Sequence, residues 1–277
     1  MYNKFMVRKD IFAGSWYPKN KQELLNMISY KKVNNLKVRF AVVPHAGLFY
    51  SSSLIKLFFS QLDPKINKIL IISPSHYFRV PSDLIGSDNF DYYKTPLGNI
   101  KGFYLPPFQK GYKEIIQAEH AIEMILPFCK LNENLEVSTA IVNNFTSYDK
   151  ALWYANKIIK SIDEKTAVIA SSDFTHYGTR FSYTPFQGKD PEKQVFDFDN
   201  NIAQLFCSTQ GKKAYETAKK NGATICGLAP ILVVSEIARL LNYEGFVAGK
   251  TNSNIINKTK DEDFVSYFCL LWREKWN

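Results

Sequence analysis

The sequence predicts an α/β fold, a central mixed but largely parallel sheet with helices on both faces, and three observations carry that expectation. Short β-rich runs alternate with amphipathic stretches along all 277 residues. Several of the β-rich runs are continuously apolar instead of alternating, as strands buried on both faces are. No linker, repeat or low-complexity tract divides the chain, so residues 1–277 are expected to form one domain.

The elements follow in order. An amphipathic stretch predicts a helix over Lys21–Tyr30, and the apolar run VRFAVV a strand over Val38–Val43. A helix is expected over Ser53–Leu62, then a strand over Lys68–Ile72 (KILII) and a short strand over Asp83–Gly86. Residues 88–113, with Pro and Gly, read as a long excursion, followed by a helix over Ile115–Cys129. The strand Glu136–Val142, the helix Tyr148–Ser161 and the strand Thr166–Ala170 continue the alternation. Helices are then expected over Glu192–Cys207, Gly211–Asn221 and Pro230–Leu241. Asn221-Gly222 supplies a helix stop, and Pro230 suits the first turn of the helix after it. Strands over Gly245–Gly249 and Phe264–Trp272 complete the sheet.

Composition narrows the function classes. The net charge is +9, yet only six of the 35 basic residues are arginine, the side chain that best reads phosphates and bases. The lysines are scattered, with the pairs Lys31-Lys32, Lys212-Lys213 and Lys219-Lys220 in helices or at their ends. A solvated lysine face is expected, and no nucleic-acid partner. The N-terminal MYNKFMVRKDIF has no apolar signal core, and no run approaches the roughly 18 apolar residues of a membrane span. Four cysteines without a CxxC pair fit reduced thiols. The expectation is a soluble cytoplasmic chain with no membrane partner.

The four histidines carry the chemistry. His45 follows VRFAVVP, His76 follows KILIISPS, and His176 follows TAVIASSDFT, so each lies just beyond the carboxyl end of a buried strand. Ligands bind at that edge in open α/β sheets. The 31 residues from His45 to His76 hold one helix and one strand. A β-α-β crossover of that length puts both carboxyl ends on one rim and lets the two imidazoles converge. Two imidazoles on a rim point to a metal. Cys226, in NGATICGLAPILVV, is the best-placed thiol, because it lies just before a helix N-terminus whose dipole favours the thiolate. Cys129, Cys207 and Cys269 read as packing residues. His120, in AEHAIEMILPF, reads as helix surface beside a core stripe, with Glu119 and Glu123 on one helical face. A carboxylate there would orient an imidazole, Glu123 ahead of Glu119.

These pieces resemble the Memo family, also called the AmmeMemoRadiSam system protein B family. The matching segments are AGSWYP (Ala13–Pro18), PHAGLFYS (Pro44–Ser51), SPSH (Ser73–His76), TPLG (Thr95–Gly98), EHAIEMILPF (Glu119–Phe128), SSDFTHYG (Ser171–Gly178) and ICGLAPI (Ile225–Ile231). The resemblance implies a fold like that of the class III extradiol dioxygenases, which bind non-haem iron(II) through two histidines and a glutamate. Memo-like proteins place a cysteine where that glutamate stands. Carried over, His45, His76 and Cys226 are the metal ligands and His176 is the acid/base, with Asp173 beside it expected to be its orienting carboxylate. Two departures fall at Leu228, where the family commonly has arginine, and at Tyr77, where a second histidine is often found.

Three functions compete. The first is a metal-dependent redox protein using iron(II), with copper as the alternative. The second is a binding protein whose pocket recognises a peptide or another protein; the resemblance implies phosphotyrosine segments, and Arg180 with Tyr177, Phe181 and Tyr183 would serve them. The third is a hydrolase using Ser75, Ser171 or Ser172, disfavoured because no GxSxG elbow is present. The family name also implies radical-SAM system proteins as partners, and the aromatic content allows a homodimer.

Overall fold

The computed structural model describes residues 5–33, 35–186 and 188–275. Among the described residues eleven strands run in chain order: β1 (Val7–Arg8), β2 (Val38–Val43), β3 (Lys68–Ser73), β4 (Gly86–Ser87), β5 (Tyr92–Thr95), β6 (Gly98–Gly102), β7 (Glu136–Ile141), β8 (Thr166–Ser171), β9 (His176–Tyr177), β10 (Tyr243–Asn252) and β11 (Phe264–Glu274). The helices are α1 (Lys21–Ile28), α2 (Leu48–Gln61), α3 (Lys113–Ala118), α4 (His120–Glu123), α5 (Leu126–Lys130), α6 (Tyr148–Ile159), α7 (Pro191–Cys207), α8 (Gly211–Lys220), α9 (Leu228–Leu240) and α10 (Ser253–Asn257). Among the described residues no helix is long and apolar enough to cross a membrane.

The sheet runs β1-β5-β6-β7-β3-β8-β2-β11-β10. Its centre, β6-β7-β3-β8-β2, is parallel throughout. β11 and β10 close one side antiparallel, and the β5–β6 hairpin turns back on the other. The continuous apolar runs are explained by burial on both faces. Phe40 and Val42 of β2, Leu70 and Ile72 of β3, and Val168 and Ala170 of β8 pack under α6, α7, α8 and α9. The intervening residues Ala41, Val43, Ile69, Ile71, Ala167 and Ile169 pack under α1, α2 and α5.

The excursion at 88–113 carries the β5–β6 hairpin, and two expectations change. The strand expected at Asp83–Gly86 is only β4, since Asp83 takes a left-handed turn (φ 62°) and its carboxylate binds the Thr146 backbone. The helix expected over Ile115–Cys129 is three short helices, α3, α4 and α5. Glu119 is extended (φ −88°, ψ 114°) and its carboxylate accepts from the Ala121 N–H, while Pro127 suits the first turn of α5. Glu119 and Glu123 therefore do not share a helical face, and the break turns Glu119 toward the sheet rim.

Below that rim, Asp199 of α7 is fully buried and accepts from the backbone N–H and hydroxyl of Thr175 and from the Ser266 hydroxyl. Burial raises its carboxyl to about 6, with the hydrogen bonds from Ser266 and Thr175 opposing. A raised carboxyl pKa means that the stability linked to its proton is full below the ordinary value near 3.8 and is lost as pH rises through about 6. Asp199→Asn removes that loss. Its stability relative to the parent is expected to improve by about 2 kcal/mol between pH 4 and pH 7, read from urea unfolding at both. A pH-independent difference would rule this out.

Candidate functional site

The neighbouring parallel strands β3, β8 and β2 end on one rim, and their carboxyl ends carry His76, Ser171 to His176, and His45. Cys226 arrives from the segment before α9, which packs on β8 and β2. Gly227 makes that approach possible: a Cβ there would lie 2.4 Å from the Ser171 carbonyl oxygen and 2.5 Å from the Ser172 side chain. Its N–H instead donates to the Ser172 hydroxyl at 2.9 Å.

One nitrogen each from His45 and His76 and the Cys226 sulfur lie within 4.8 Å of one another. Their second hydrogen bonds settle which nitrogens face the site. The Ser171 hydroxyl donates to the Ala121 carbonyl at 2.7 Å, so at its 2.9 Å contact with His45 Nδ1 it accepts. His45 therefore carries its proton on Nδ1 and presents the Nε2 lone pair, which is 3.1 Å from Cys226 Sγ. His76 donates its backbone N–H and Nδ1–H to the Glu119 carboxylate at 2.7 and 2.8 Å. His176 directs Nδ1–H at the Phe174 and Thr224 carbonyls, both at 3.1 Å, and among the described residues no hydrogen bond reaches its Nε2.

Electrostatics agree with this pattern. Burial, with the charge of His76 next, holds His45 well below the ordinary histidine range, so its imidazole is neutral. Burial opposes a charge on His76 as well, but its hydrogen bonds to Cys226 and Glu119 outweigh that and lift it to about 10. The thiol of Cys226 is pushed up by burial. The expected lowering by the α9 N-terminus is overridden, because the sulfur sits in a desolvated pocket. Cys226 Sγ thus lies against His45 Nε2, while Glu119 holds the His76 ring through Nδ1.

Two residues do other work than expected. Asp173 Oδ1 accepts from the backbone N–H groups of His45 and Ala46 at 2.8 and 3.2 Å, so it braces the loop after β2, and backbone carbonyls hold His176 in its place. Glu123 contacts no imidazole among the described hydrogen bonds. It is ion-paired with fully buried Arg8 at 2.6 Å and accepts from Ile11 N, Phe12 N and Tyr17 Oη. Glu119 is the carboxylate that orients an imidazole. Arg180 is exposed, its guanidinium over the neighbouring Phe181 ring; Phe181 itself packs on His176 with centroids 5.1 Å apart. The serine hydroxyls are committed to backbone carbonyls: Ser75 to Phe78, Ser171 to Ala121, Ser172 to Asp173.

His120 is the residue that sequence reasoning missed. It is 6% exposed, and its ring centroid lies 4.4 Å from that of His76 and 5.3 Å from that of His45. All four histidines of the chain stand at this rim. Trp16, from AGSWYP, packs on His120 at 4.4 Å, and Tyr77 Oη is 3.0 Å from its Nδ1. A carboxylate directly followed by histidine was the available signal, and a continuous helical reading hid it.

The family profile described as Memo-like protein matches residues 8–270. A MEMO1 family protein of Thermoplasma volcanium is 27% identical, covering 93% of this chain and 95% of that protein. A MEMO1 family protein of Methanococcus vannielii is also 27% identical, over 96% and 99%. Protein MEMO1 of Homo sapiens is 28% identical, over 88% and 89%. With a match that runs from β1 into β11 and takes in every residue of the rim, the chain belongs to the Memo-like protein family.

Proposed function

We propose that the rim is a mononuclear metal site of a redox protein, with His45 Nε2, His76 Nε2 and Cys226 Sγ as the ligands and iron(II) ahead of copper as the metal. The convergence of these three donors, with both imidazoles fixed through Nδ1, carries the proposal. Two neutral imidazoles and a thiolate suit either metal, the sulfur favouring the softer Cu(I) and the open facial set favouring iron(II). Bound there, the metal would supply open positions for O₂ or a substrate and one-electron redox chemistry. His76 and Cys226 give up their protons to a cation. His176 Nε2, which no hydrogen bond reaches among the described residues, accepts or returns a proton on the bound molecule. Peptide recognition is the weaker reading, because Arg180, its expected anion contact, stacks on its own neighbour.

Protein purified without oxygen is expected to carry close to one iron or copper per chain by elemental analysis. His45→Ala, His76→Ala and Cys226→Ala should each lose most of it. Folded parent protein that neither contains nor takes up either metal would refute the proposal.

A further inference from the structure

We infer that the rim carries a second cation position beside the triad, in which His76 Nδ1, a Glu119 carboxylate oxygen and His120 Nδ1 hold a zinc ion. The His76 ring is shared between the two positions. The inference goes beyond the proposed function and does not rest on it, because this donor set needs neither Cys226 nor an occupied triad. Its three donors gather around one carboxylate oxygen. His76 Nδ1 lies 2.8 Å and His120 Nδ1 3.2 Å from Glu119 Oε1, and one ligand atom from each residue lies within 4.8 Å of the others. Atoms that share a zinc ion at bond lengths of about 2.1 Å stand roughly 3 Å apart. The His120 contact is informative in itself. It is short but is not a hydrogen bond, since the hydrogen bond at that nitrogen runs to Tyr77 Oη at 3.0 Å. The carboxylate oxygen therefore stands to the side of the ring's donor axis, as one ligand stands beside another when both address an ion between them.

The donors are held in place by their surroundings. Glu119 is fully buried, with Oε2 tied to the His76 N–H at 2.7 Å and Oε1 to the Ala121 N–H at 3.0 Å. The His120 ring packs against those of Trp16 and His76, each with centroids 4.4 Å away. Two imidazoles and one carboxylate make a zinc set with an open fourth position. No thiolate belongs to it, so the softness that Cys226 lends the triad is absent here. An ion enters from the Tyr77 side, where the His76 side chain is 27% and Tyr77 49% exposed. The Tyr77 hydroxyl is the group it displaces from His120. The ion takes the place of the proton between His76 Nδ1 and Glu119, which leaves to solvent, and Nε2 remains for the triad. With both positions filled, the ring bridges them as an imidazolate, and no redox step is involved.

Zinc titrated into metal-free protein, with the retained ion counted by elemental analysis after desalting, tests this. The parent should hold about two zinc ions per chain, Cys226→Ala and His120→Phe about one each, and the double variant almost none. His120→Phe that retains as much zinc as the parent would overturn the inference. Anomalous scattering at the zinc edge, from crystals of the parent soaked in zinc, tests it without any substitution. A peak bounded by His76 Nδ1, Glu119 and His120 Nδ1 is expected, and saturating zinc that leaves this position empty would also overturn it. The two readings fail separately. If the triad takes no metal, the parent holds about one zinc, which Cys226→Ala leaves in place and His120→Phe removes. If the second position is the one that fails, Cys226→Ala removes the single zinc and His120→Phe leaves it.

Discussion

Glu123→Leu is expected to destabilise the protein by about 3–5 kcal/mol, roughly a 10 °C fall in the thermal midpoint for a chain of this size. The reason is the isolation of its partner. Arg8 is fully buried, with Nη1 on Glu123, Nη2 on the Glu119 carbonyl and Nε on the Ile116 carbonyl. Without the carboxylate, its charge stays in the interior with only carbonyl dipoles to offset it. The carboxylate also collects the N–H groups of Ile11 and Phe12 and the Tyr17 hydroxyl, so the segment bearing Phe12 and Trp16 loses its anchor against α4. Pairing the substitution with Arg8→Met removes the stranded charge. The double variant should therefore recover well over half of the loss, although neither side chain is restored. Equal stabilities for the single and double variants by urea unfolding would show that the ion pair is not what the fold depends on.

How much of this was legible in the sequence depended on the range of the interaction. The parallel core was readable because VRFAVV, KILII and TAVIA are apolar without alternation, which only burial on both faces explains. The rim was readable for the same reason: three histidines follow three such strands, and β3, β8 and β2 prove to be neighbours. Cys226 was singled out by its place before a helix start, but its electrostatics were not legible. A dipole argument needs only local sequence, whereas the desolvation that raises the Cys226 thiol comes from the packed surroundings. Glu119 and Glu123 were ranked in the wrong order for a similar reason. Their spacing suits a helix, yet whether that helix persists depends on His76, 43 residues away, recruiting the Glu119 carboxylate. Arg8 claims Glu123 from 115 residues away, a pairing that no periodicity announces.

On the proposed metal reading, the largest expected effect on metal binding from outside the triad belongs to Glu119. One carboxylate fixes the His76 backbone and ring, receives the Ala121 N–H at the break between α3 and α4, and lies beside His120 Nδ1. Glu119→Gln keeps the size but substitutes a donor for one of two acceptor oxygens, so His76 Nδ1–H loses a charged partner and the ring loses its fixed orientation. Such partners are typically worth 10–100-fold in metal affinity, and a loss in that range is expected by competition with a chelator of known affinity. The metal-free variant supplies an independent signature. His76 is raised to about 10 in the fold, so its proton-linked stability is complete below its ordinary value near 6.5 and is lost as pH rises through about 10. Because Glu119 contributes to that rise, and its own carboxyl is held below its ordinary 4.5 by the same pair, the destabilisation of Glu119→Gln should be greatest between about pH 4.5 and pH 6.5 and shrink toward pH 10. Metal affinity equal to that of the parent, or a stability gap that widens with pH, would mean that Glu119 acts only as a helix cap and that His76 is oriented by something else.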